Sequence, residues 1–287
     1  MVENLNISQT WQDWIEENLK LGCAQNSMVD SMVKADFSQE VAMHWIGAIA
    51  KRISSEYAKN TLTDRTYIYE HSKLTNGNTI VLSDQTTVSV LIRLSKPDMA
   101  LFSNFMSHDE CDMLIEYAKQ KLAPSTIVDP LTGTAETIKD RTSIGAYFSR
   151  GENEFINKLE IRISELMNHP LEYGEGVQVL NYEVGKEYKA HFDYFAPQES
   201  GSIVHLANGG QRVATLVMYL NDVECGGETF FPDIGLSVVP KKGYAAYFAY
   251  GNSLGQVDPL SLHAGAPVAR GEKWIATKWV RQRFCNA

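Results

Sequence analysis

His191 and Asp193 stand on either side of Phe192. On a strand, residues i and i+2 point to one face, so the imidazole and the carboxylate aim together while Phe192 turns into apolar packing. Such a pair is the start of a metal site, and a second histidine from elsewhere would complete it. Two imidazoles and one carboxylate with open coordination positions are the donor set of a non-haem Fe(II) centre. His263 lies 72 residues on, in Leu262-His263-Ala264-Gly265, and Lys273 follows ten residues after it. Small and turn-forming residues, Ala264 to Pro267, stand between them. A strand, a loop and a second strand would bring the ammonium to the same side of a barrel as the metal. A buried lysine is costly unless paired, and its natural partner here is the carboxylate of a bound ligand. Taken singly, each residue has a plainer reading: His263 as a satisfied core histidine, Lys273 as a solvated turn residue.

The elements that must position these residues follow from spacing. Residues 8–60 read as three short helices. Their apolar faces are Trp11, Trp14, Ile15, Leu19 and Leu21; then Met28, Val29, Met32 and Val33; then Val41, Ala42, Trp45, Ile46 and Ile49. Gly22 is a stop signal and Ser38 an N-cap. Residues 61–92 are a β-prone connector, with Thr66–Tyr69 and Thr87–Ile92 as strands and Asn76-Gly77-Asn78 as the hairpin turn. Ser107 and Glu110 make a capping box that opens a helix to about Lys121, and Ser149 and Glu152 make a second. Beyond Glu172 come short strands separated by turns, among them 177–182, 213–220, 229–231, 236–239, 244–248 and 274–280. This order predicts an α+β chain with an antiparallel sandwich or barrel and helices against it.

Composition narrows the partners. The chain has 287 residues, 44% hydrophobic and 21% charged, which is ordinary for a globular protein. Twenty-six basic and 35 acidic side chains leave a formal charge of −9, which argues against a nucleic-acid partner. No apolar run reaches the ~18 residues of a membrane span. The opening Met-Val-Glu-Asn-Leu-Asn lacks the basic and apolar regions of a signal peptide, so a cytoplasmic location is expected. Cys23, Cys111, Cys225 and Cys285 form no close pair and read as free thiols.

Taken together, the motifs are distinctive. The run from Asn181-Tyr182 through Gly185, Tyr188 and His191-Phe192-Asp193, then Gly226-Gly227-Glu228-Thr229-Phe230-Phe231-Pro232, Val239-Pro240-Lys241-Lys242-Gly243, His263 and Lys273 stand in one order. From about Lys96-Pro97 to Phe284 the chain resembles the prolyl 4-hydroxylase family of Fe(II)/2-oxoglutarate dioxygenases. The first 90 residues have no counterpart there. The segment after His263 reads Ala264-Gly265-Ala266-Pro267, where many relatives carry Cys before the proline.

The resemblance implies a double-stranded β-helix (jelly-roll barrel) over 93–287 with supporting helices, preceded by the helical module 1–60. It implies that His191, Asp193 and His263 ligate Fe(II), and that Lys273 pairs the far carboxylate of 2-oxoglutarate with the Tyr182 and Thr229 hydroxyls nearby. It places Tyr188, Arg212, Trp279, Arg141, Ser143 and Glu175 along a substrate groove, with Val128–Asp140 as a lid. The implied reaction uses O2, with L-ascorbate as reductant, to hydroxylate a prolyl residue of a peptide or protein, releasing succinate and CO2. Another residue or a free amino acid is the alternative substrate. A jelly-roll binding protein that has lost catalysis is the alternative class, against which intact His191, Asp193, His263 and Lys273 weigh.

Overall fold

Residues 7–20, 23, 25–61, 66–124, 127–128, 135–136, 142–197 and 199–286 are described by the structure, a computed structural model. They fall into two units. The first is helical. Helices α1 (Gln9–Lys20), α2 (Gln25–Lys34) and α3 (Gln39–Thr61) turn one stripe each inward, and Ile15, Leu19, Met28, Met32, Ala42, Ile46 and Ile49 are buried together. Ser38 caps α3 by accepting the Val41 N–H at 3.3 Å. A short helix from far along the chain, Ser202–Ala207, adds Ile203 to this core. Its six residues have no side-chain cap and gave no signal in sequence. The segment that carries it is pinched at its base, where the Gln211 amide bonds both the N–H and the C=O of Phe195.

The second unit holds the two main sheets, whose neighbouring strands pair antiparallel. The larger sheet has the strand order Thr79–Val81, Thr87–Ser95, Asp98–Ser103, Ala245–Ala249, Arg212–Tyr219, Lys273–Arg281, Gly174–Tyr182, Ile144–Phe148, Ala123–Pro124. A smaller sheet has the order Leu236–Val238, Thr229–Phe231, His263–Gly265, Tyr188–His191. Alternation along the large sheet builds two cores. Val177, Val179, Ala214, Leu216, Met218, Trp274, Ala276 and Val280 pack with residues of α4 (His108–Lys119) and α5 (Glu154–Met167). Leu180, Tyr182, Val217, Tyr219 and Ile275 turn the other way and pack with Phe231 and Val238 of the small sheet. The same parity that places Ile275 on this second face also places Lys273, Thr277 and Trp279 there.

Several local expectations are corrected. Thr66–Tyr69 is not a strand, and Asn76-Gly77-Asn78 precedes the hairpin rather than turning it. The hairpin joins Thr79–Val81 to Thr87–Ser95. Its turn is closed by Asp84 Oδ1 accepting the Thr86 N–H at 2.9 Å, with Gln85 left-handed at φ 69°. The Ser107–Glu110 box does open α4, with both reciprocal bonds formed. Ser149 and Glu152 instead close a turn of their own, and Asn153 caps α5, because Gly151 at φ 67° takes the chain out of helical geometry between them. Among the described residues no helix is long and apolar enough to cross a membrane.

Candidate metal and active site

His191 and His263 are cross-strand partners in the small sheet, which is why residues 72 apart meet. Their ring centroids are 4.4 Å apart. Asp193 lies in a bend just past the strand end rather than on the strand. It nonetheless turns back to the same place, with Oδ1 3.7 Å from His191 Nε2 and Oδ2 3.6 Å from His263 Nε2. All three potential ligand atoms lie within 4.8 Å of one another. Each imidazole is oriented from behind: Nδ1 of His191 is 2.7 Å from the Lys189 carbonyl and Nδ1 of His263 2.9 Å from that of Ser261. A carbonyl only accepts, so both Nδ1 atoms carry a proton and Nε2 is the metal-facing position of each ring.

Asp193 is buried and must stay ionised to serve as a ligand. Burial pushes its carboxyl up, but His263, His191, a 2.7 Å bond from the Thr215 hydroxyl and the Arg212 charge together hold it below the usual carboxylate value. Thr215 in turn contacts the Tyr250 hydroxyl at 2.9 Å. Burial raises the Tyr250 phenol, so it stays neutral.

A cavity runs from this cluster to Lys273 and is lined also by Tyr182, Tyr188, Thr229 and Trp279. Lys273 is 2% exposed and sits opposite Tyr182 on the neighbouring strand. Its ammonium makes no hydrogen bond or ion pair with a described residue and stands over the Tyr182 ring, 5.6 Å from the centroid. Burial lowers its ammonium to about 8, partly offset by the charge of Glu228. Gly265 keeps space beside it, since a Cβ there would lie 3.7 Å from Nζ. Thr229 accepts a bond from the Tyr219 hydroxyl at 2.9 Å, which leaves its own proton for another acceptor. A buried, unpaired ammonium facing a cavity fits an anionic ligand, and two imidazoles with a carboxylate fit Fe(II).

The remaining residues divide. Tyr188 stacks on His191, centroids 3.6 Å apart. Trp279 carries the Arg212 guanidinium over its ring at 4.0 Å. Arg212 clamps Glu175 through Nε and Nη2 at 2.7 and 2.8 Å, and its Nη1 reaches the Asp193 carbonyl at 3.3 Å. Arg281 adds a 3.1 Å contact to Glu175. Arg212 and Glu175 therefore brace Trp279 and Asp193 from outside the cavity lining. Ser143 is buried at the start of the Ile144–Phe148 strand. Arg141 and most of the expected lid lie outside the described residues. Sequence reasoning missed Thr215, Tyr219 and Tyr250. The signal for Thr215 was a small hydroxyl residue within the largely apolar run Val213–Leu220.

Residues 177–281 match the family model of the 2OG-Fe(II) oxygenase superfamily. The chain is 42% identical over 205 residues to probable prolyl 4-hydroxylase 10 of Arabidopsis thaliana, covering 65% of this chain and 69% of that one. It is 37% identical over 188 residues to the human prolyl 4-hydroxylase subunit alpha-1, covering 66% of this chain and 35% of the subunit. Among solved structures it is similar to a viral collagen prolyl hydroxylase from Paramecium bursaria Chlorella virus-1 in complex with 2OG. There the TM-score is 0.50 at 32% identity, over 64% of this chain and 95% of the viral one. With its His191–Asp193–His263 cluster inside the matched region, the chain belongs to the prolyl 4-hydroxylase family of 2-oxoglutarate- and Fe(II)-dependent oxygenases.

Proposed function

We propose that this protein hydroxylates a prolyl residue of a peptide or protein, using Fe(II), 2-oxoglutarate and O2, with L-ascorbate as reductant. The observation that carries the reading is Lys273, a buried ammonium without an ion-pair partner among the described residues, in the cavity that also holds His191, Asp193 and His263. His191 Nε2, His263 Nε2 and a carboxylate oxygen of Asp193 would hold the iron. When bound, the iron couples decarboxylation of 2-oxoglutarate to oxidation of an unactivated C–H bond.

The chain's own residues do the positioning. Lys273 meets the far carboxylate of 2-oxoglutarate in a charge-assisted contact, since its ammonium has no ion pair with a described residue. Thr229 donates its hydroxyl proton to a co-substrate oxygen, and Tyr182 closes the wall beside the ammonium. Tyr188 and Trp279 give flat faces suited to a pyrrolidine ring. The Trp279 indole N–H is buried without a partner among the described residues and is a donor for a substrate carbonyl. Glu175 and Arg212 hold Trp279 in place, and Ser143 extends the groove.

We further infer that the two antiparallel sheets form a double-stranded β-helix, a reading supported by the apolar cluster they share. In this reading 93–287 is the catalytic domain, 1–60 a helical module whose core also takes in Ile203, and 61–92 the connector. We place the protein in the cytoplasm, a reading supported by four free cysteines. The test is mass spectrometry of proline-rich peptides and free amino acids incubated with Fe(II), 2-oxoglutarate and ascorbate. A gain of one oxygen atom on a prolyl residue, matched by succinate, is expected. Oxygen gained only by a free amino acid would redirect the substrate class, and absence of succinate with every candidate would refute the enzyme.

A further inference from the structure

Thr215 has no exposed surface and stands between Asp193 and Tyr250. Its hydroxyl owns one proton, which goes to Oδ2 of Asp193 at 2.7 Å because an ionised carboxylate only accepts. The 2.9 Å contact between Thr215 and Tyr250 must then run from the phenol to the threonine oxygen. The Tyr250 ring is held in turn by Tyr194 and Phe248, with centroids at 6.1 and 6.0 Å. The relay Tyr250 to Thr215 to Asp193 therefore points one way and ends on one oxygen. Oδ1 receives no hydrogen bond from a described residue. The two oxygens stand at similar distances from the imidazoles, 3.7 and 3.6 Å, so distance does not choose between them and the hydrogen bond does.

We propose that Thr215, locked by Tyr250, is a positioning residue that occupies Oδ2 of Asp193 and so presents Oδ1 alone to the metal. This rests on the Fe(II) reading above. A carboxylate that grips through both oxygens uses up a further coordination position. One that grips through a single oxygen leaves three positions of six, enough for the two donor atoms of a 2-oxo acid and for O2. Freed from Thr215, Asp193 gains the option of closing the position that O2 needs.

Thr215→Val removes the hydroxyl at nearly constant shape, and Thr215→Ser keeps it. The readouts are the visible charge-transfer band of the anaerobic Fe(II)–2-oxoglutarate complex and the KM for O2, both measured on the full chain. Thr215→Val should shift the band and raise the KM for O2 about tenfold, a typical effect of losing a partner behind a metal ligand. The KM for peptide should stay unchanged, and Thr215→Ser should restore both readouts. Tyr250→Phe, which leaves Thr215 in place, should move the band the same way by less. A Thr215→Val protein with the wild-type band and wild-type KM for O2 overturns the proposal, as does a Thr215→Ser protein as impaired as Thr215→Val. A wild-type protein that binds no Fe(II) refutes the iron-site reading itself, and the proposal falls with it.

Discussion

Lys273 and Tyr182 sit directly opposite each other on adjacent strands, with the ammonium 5.6 Å from the ring centroid. The ring shields the cation without neutralising it, and burial brings the ammonium down to about 8. Only the protonated form pairs a carboxylate, so 2-oxoglutarate affinity should be flat below pH 8. Above it, affinity should fall about tenfold per pH unit, because each added unit makes the charged form tenfold scarcer. Lys273→Met should abolish that slope and weaken binding by about 1.5–3 kcal/mol at pH 7. Calorimetric titration of 2-oxoglutarate between pH 7 and 10 is the check. A slope that persists in Lys273→Met would assign the titration to another group.

Asp193→Ala should abolish iron retention and turnover together, since it removes one of three donors and the charge that balances the ion. Iron content after gel filtration, read beside succinate release, is the measurement. Full turnover at limiting iron would exclude Asp193 as a ligand.

Trp279 and Tyr188 both line the cavity, but they should behave differently. Trp279→Phe keeps an aromatic face and loses the N–H. It should raise the KM for peptide by about fivefold, the worth of one hydrogen bond, and leave uncoupled 2-oxoglutarate decarboxylation intact. Tyr188→Ala removes the ring stacked at 3.6 Å on His191, so it should lower iron affinity as well. Equal iron affinity in the two variants would show that the stacking does not support the ligand.

Glu160 and Lys278 form an ion pair in which both side chains are buried, between α5 and the central strand Lys273–Arg281. Burial lowers the Lys278 ammonium and Glu160 opposes the shift. Lys278→Met alone strands a buried carboxylate and should cost about 3–5 kcal/mol in urea unfolding, whereas Glu160→Leu with Lys278→Met should recover most of it. A double variant no better than the single would show that the pair itself, rather than the stranded charge, carries the stability.

The chemistry was more legible than its support. His191, Asp193, His263 and Lys273 belong to residue types that an apolar interior rarely holds, so their order along the chain was informative. The residues behind them were not. Arg212–Tyr219 is buried on both faces, and a strand of that kind reads as a nearly unbroken apolar run in which Thr215 and Tyr219 look like filler. The first hairpin was misplaced because Asn-Gly is a strong local turn signal, while the actual turn relies on the Asp84 side chain and a left-handed glutamine. The pairing of the Arg212 fork with Glu175, a partner 37 residues away, was not legible because only folding supplies it.

The histidine pairing has a consequence for order as well as chemistry. Tyr188–His191 is the border strand of the small sheet, and its register with His263–Gly265 is broken between its two paired positions. So sparse a ladder holds weakly on its own, and an ion gripped by both imidazoles staples the seam. Iron starvation should therefore fray this border strand before it harms the scaffold. Amide exchange at 188–191 should accelerate on chelation, while the central strand 273–281 stays protected. A molecule short of iron would then lose the Tyr188 face of its groove along with its oxidant, and would release its peptide rather than hold it idle.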